Sequence, residues 1–156
     1  MRVPDTVVDP QAGNSSPEAL VNTFEALLAD ADVDTFFRIL GIGRLARSAR
    51  RRMYPVFTAL CAGLWRLALK RAVPDRCDEA CERYVVWLQS GGRDADAQVL
   101  LVRDVAAHLP PSGGEDFTPA AREVFSRAGR TPDQAGLVGM ALFLRRLYDY
   151  FFNHLM

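Results

Sequence analysis

RLARSARRRMYPVFTALCAGLWRLALKRA, residues 44–72, decides how this chain folds. Leu45, Ala49, Met53, Val56, Leu60, Leu64 and Leu67 recur every three or four residues, the spacing of one face of an α-helix. Phe57, Cys61 and Trp65 widen that face until apolar residues nearly encircle the second half of the stretch. A helix that is apolar almost all round belongs at the centre of a bundle. Pro55 falls inside the pattern and has no N–H to give, which predicts either a kink or a split near Met53.

Upstream, Ser16-Pro17-Glu18 reads as a helix start: a hydroxyl cap, a proline where the missing N–H costs nothing, and an acid against the helix dipole. The first helix is expected from Pro17 to about Ala29, with Leu20, Val21, Phe24, Leu27 and Leu28 facing inward. A short second helix, about Val33 to Leu40, stops at Gly41-Ile42-Gly43. Residues 1–15 lack any such pattern and read as a flexible N-terminal segment. They also lack the apolar core of a secretory signal, because Asp5 and Asp9 interrupt them.

Downstream, Pro74-Asp75 opens a fourth helix to about Gln89, striped by Cys77, Cys81, Tyr84 and Leu88. A fifth, about Ala95 to Leu109 with Asp94 as its cap, packs through Val99, Leu101, Val102, Val105 and Ala106. Leu109–Asp116 is a loop. Thr118-Pro119 opens a sixth helix to about Arg127, and Thr131-Pro132-Asp133 opens the last, to about Leu155. No stretch alternates as a half-buried strand does. The expected fold is therefore all-α. Residues 16–156 form one globular bundle of six to seven helices around the long helix 44–72 and a hydrophobic C-terminal helix 132–155.

Composition narrows the function classes. The 156 residues are 49% hydrophobic and 24% charged, enough apolar material for a core without disulfide or metal support. Nineteen basic and nineteen acidic residues cancel, whereas proteins that hold a polyanion usually carry a basic excess. No apolar run approaches the ~20 residues of a membrane span. Three cysteines make no disulfide framework, so the reading is cytoplasmic.

Chemistry finds little support. Cys77 and Cys81 share a helix face, but zinc wants about four ligands, and Cys61, His108 and His154 supply no second close pair. Both cysteines lie on the apolar stripe, where reduced cysteine packs as a small hydrophobe. A haem bundle needs an axial histidine well before Glu115, and only His108 precedes it, too close. No elbow or family spacing converts Ser, Cys and His into a nucleophilic triad. No catalytic residue, metal ligand or cofactor is assigned; the leading reading is non-enzymatic, and a small-molecule-binding or enzymatic helical domain stays open as an alternative.

Two features remain. Arg44, Arg47, Arg50, Arg51 and Arg52 are the densest charge cluster, a candidate anion or phosphate patch facing nucleic acid or an anionic membrane, or else a solvated helix start. Tyr148, Tyr150, Phe151 and Phe152 make the last helix more aromatic than a solvated one needs. Tyr150 and Phe152 point away from Tyr148 and Phe151, and burying both faces in one small monomer is difficult. That surplus marks a candidate interface for a protein partner or a second copy. The leading expectation is a regulatory interaction module acting through an aromatic-rich surface or groove.

Overall fold

A computed structural model describes residues 16–92, 94–111 and 115–156; the expected flexible segment 1–15 and part of the loop after Leu109 lie outside them. Among the described residues there are seven helices and no strand: α1 (Pro17–Asp30), α2 (Val33–Ile39), α3 (Arg47–Ala72), α4 (Pro74–Gln89), α5 (Ala95–Ala106), α6 (Thr118–Arg127) and α7 (Gln134–Leu155). The all-helical expectation holds, and the buried side chains join in one continuous core.

The caps explain where the helices begin. Ser16 Oγ accepts the N–H of Ala19 at 3.2 Å, as its sequence context implies. At α7 the cap is Asp133, whose Oδ1 accepts the Gly136 N–H at 2.6 Å, so the helix starts two residues later than Thr131-Pro132 suggests. α2 is capped by Asp32, which accepts from Thr35 N–H at 3.0 Å. Asp94 makes no side-chain cap at α5. At α6 the carboxylate of Asp116 takes the Thr118 N–H at 3.0 Å, in place of a Thr118 cap. α2 and α6 both end on a left-handed glycine, Gly41 (φ +72°) and Gly129 (φ +68°), a conformation only glycine adopts without strain.

α3 is the axis. It begins at Arg47, not Arg44, and runs unbroken through Pro55. An interior proline costs about 3 kcal/mol, yet α3 packs against α7 along one side and α5 along another. Gln98 of α5 donates to the Pro55 carbonyl at 3.2 Å, tying a second helix to this turn. Tertiary packing thus holds the helix together where local preference alone predicts a break.

α1 lies over α4, α2 meets α7, and α6 packs along α7. Phe24 of α1 is the hub of the core. Its ring stacks on Trp65 at 4.6 Å, meets Tyr84 edge-on at 5.2 Å and touches Phe151 at 5.6 Å. One side chain therefore draws α1, α3, α4 and α7 together.

Candidate functional site

α5 is the helix whose apolar residues are least covered. Only Val105 is buried; Val99, Leu101 and Val102 are half-buried, and Leu100 is 55% exposed. Between α5 and α4 an open groove of about 230 Å³ runs over the face of α3. Its floor is Ala62, Gly63 and Trp65. Cys81 and Val85 of α4 form one wall, Val99, Val102 and Ala106 of α5 the other. Gly63 also lets Leu109 close in on α3: a Cβ there would stand 2.5 Å from Leu109 Cδ1.

The charged side chains along this groove are Arg66 and Arg103, and neither has an ion pair among the described residues. The volume falls below the roughly 300–1,000 Å³ of small-molecule sites. The groove is thus an open, mainly apolar trough edged by two cations.

The cysteines contribute packing. Cys77 is buried and Cys81 half-buried, and all three thiols are free. Burial, with Cys77 beside it, pushes the Cys81 thiol up to about 12, and burial raises Cys61 as well. Nucleophiles and metal ligands need the thiolate, which these environments suppress at neutral pH. No group of three or more His, Cys, Asp or Glu side chains is placed to hold a metal ion among the described residues. His108 sits just beyond α5 with Nε2 3.5 Å from Glu123 in the middle of α6, linking the end of one helix to the body of the other.

The terminal aromatics are largely engaged within the fold. Phe151 is fully buried, and Tyr148, Tyr150 and Phe152 are half-buried against the core. Tyr148 lies beside Phe117, and the Arg71 guanidinium lies 5.0 Å above the Phe152 ring. Tyr150 donates its hydroxyl hydrogen to the Leu27 carbonyl at 3.2 Å. Phe152 stacks on Tyr148, four residues back on the same helix face, at 6.2 Å, so these two rings do not point apart as expected. α1 and the end of α3 flank the helix. No family model matches the chain, and neither a curated protein nor a solved structure matches it.

The arginine cluster divides into two sets. Arg50 donates to the Gly43 carbonyl at 3.0 Å, approaches Asp34 at 3.8 Å and lies over Phe37 at 4.8 Å. Arg52 donates to the Ala128 carbonyl at 3.2 Å. These two hold the loop and the α6–α7 turn. Arg44, Arg47 and Arg51 are exposed, with no ion pair or side-chain hydrogen bond among the described residues.

The groove escapes the periodicity argument because Val99–Val102 reads as ordinary core. One signal does precede it: from Thr35 to Pro74 the sequence contains no acid, so every charge that α3 brings to its neighbours is positive.

Proposed function

We propose that the protein is a non-catalytic, regulatory binding module that takes up an amphipathic helix of a partner protein in the α4–α5 groove. The partner presents apolar side chains to Ala62, Val85, Val99 and Val102, and a carboxylate to Arg66 and Arg103. The incomplete cover over α5 carries this reading, since Val99 and Val102, left half open on the groove wall, gain most from burial by a second helix. Two unpaired arginines give that helix its sign. Three free thiols are in keeping with a reducing, cytoplasmic setting.

The test is selection of a phage-displayed library of helical 20-residue peptides on the full chain. Enriched peptides should combine a three-and-four apolar spacing with Asp or Glu. They should lose binding to Val99→Asp, and Arg66→Glu with Arg103→Glu should shift the preference to Lys or Arg. Peptides that bind Val99→Asp undiminished would place recognition elsewhere. Light scattering of the unliganded chain separates a foreign partner from a second copy, since a dimer dissolved by Val99→Asp would make this chain its own partner.

A further inference from the structure

The end of the molecule around the start of α3 is electrically unlike the rest. Between Asp32 and Tyr54 the chain carries six arginines (38, 44, 47, 50, 51 and 52) against two aspartates, 32 and 34. That is an excess of four positive charges in a chain whose total is zero, so the remainder carries an excess of four negative. The two acids are occupied: Asp32 receives the Thr35 N–H, and Asp34 lies beside Arg50.

At the same end stands Leu45, 92% exposed, in the turn before α3. Arg44 and Arg47 flank it in sequence. Arg47, Arg51 and Tyr54 then follow at spacings of four and three, one stripe along the first turns of α3, with Tyr54 49% exposed. The face that Met53 and Phe57 occupy is buried, so the stripe is the outward side. Arg50 and Arg52 are used internally, which leaves Arg44, Arg47 and Arg51 to meet whatever lies outside.

We infer that this end docks on an anionic lipid bilayer, with Leu45 entering the interfacial region and Arg44, Arg47 and Arg51 meeting lipid headgroups. A basic patch alone suits phosphates of any source. An almost fully exposed leucine in its midst does not, because a nucleic-acid backbone offers it no apolar surroundings. A bilayer interface accepts both at once: cations at the headgroup level, apolar and tyrosyl side chains just beneath. Tyr54, amphipathic and on the same stripe, suits that depth.

The experiment is sedimentation of the full chain with vesicles of phosphatidylcholine alone and with about a third phosphatidylserine. The chain should pellet with the anionic vesicles only and release as salt screens the attraction. Arg47→Glu with Arg51→Glu should lower partitioning at least about tenfold. Leu45→Ala changes no charge and should still lower it several-fold. All these positions are exposed, and circular dichroism confirms that the variants fold. Equal binding to neutral vesicles, or a Leu45→Ala variant that binds like the parent, would overturn the inference. So would binding to duplex DNA without binding to vesicles, which would assign the arginines to nucleic acid. These variants leave the α4–α5 groove intact, so peptide selection on them reads the groove separately.

Discussion

Tyr150 of α7 hydrogen-bonds the main-chain carbonyl of Leu27 in the last turn of α1, joining residues 123 apart in sequence. The final carbonyls of a helix have no partner within it, and here a side chain from another helix supplies one. Tyr150→Phe keeps the ring and removes the bond, and should cost about 1 kcal/mol in urea unfolding.

Tyr84 offers the opposite case. Its hydroxyl is buried and has no hydrogen-bond partner among the described residues. Leaving a buried polar group unsatisfied costs about 1–3 kcal/mol. Tyr84→Phe should therefore raise stability or leave it unchanged, while Tyr150→Phe lowers it. The same urea titration on both variants checks the contrast, and a loss at Tyr84 matching that at Tyr150 would contradict it.

Stability should fall on the alkaline side. Burial raises the Cys81 thiol to about 12, and raises Cys61 and the Tyr84 phenol in the same direction. In the unfolded chain thiols release their protons near pH 8.5–9. The folded state thus binds more protons above that point. The stabilisation is complete below about pH 8 and is lost progressively as pH rises toward 12. Urea midpoints at pH 7, 9 and 10.5 should decline in that order, and Cys81→Ala should flatten the decline.

Phe24→Ala should be among the most damaging single changes. The ring touches Trp65, Tyr84 and Phe151, and buried aromatic truncations cost about 3–5 kcal/mol. Val99→Asp at the half-open groove wall should cost far less, which is what makes it usable as a binding variant. Thermal unfolding of the two variants side by side tests this difference.

Gly63→Ala should destabilise by only about 1 kcal/mol, because the added methyl meets Leu109 Cδ1, the tip of a side chain that can turn, and the better helix propensity of alanine offsets part of that cost. Gly41→Ala should cost about 1 kcal/mol for a different reason, the left-handed φ of +72°. A shift in backbone resonances around Leu109 in the first variant, and none there in the second, distinguishes the two causes.

The helices were legible in the sequence because their signals are local. Ser16-Pro17 fixed the start of α1, and the spacing from Met53 to Leu67 fixed the core face of α3. What escaped depends on where the helices lie relative to one another. Val99–Val102 shows the same letters whether α4 covers it or leaves it half open. Tyr150 and Phe152 looked like one face too many for a monomer, but α1 and Arg71 of α3 stand beside them. Among the five arginines, the separation of Arg50 and Arg52 from Arg44, Arg47 and Arg51 rests on carbonyls at Gly43 and Ala128, the second lying 76 residues away.

The packing of Phe24 against Phe151 also bears on synthesis. A ribosome releases α1 long before it makes α7. During that interval Phe24 can reach Trp65 and Tyr84 but not its remaining neighbour. Until α7 is made, a nascent chain therefore carries an unfinished aromatic core, and α7 is the helix that closes it.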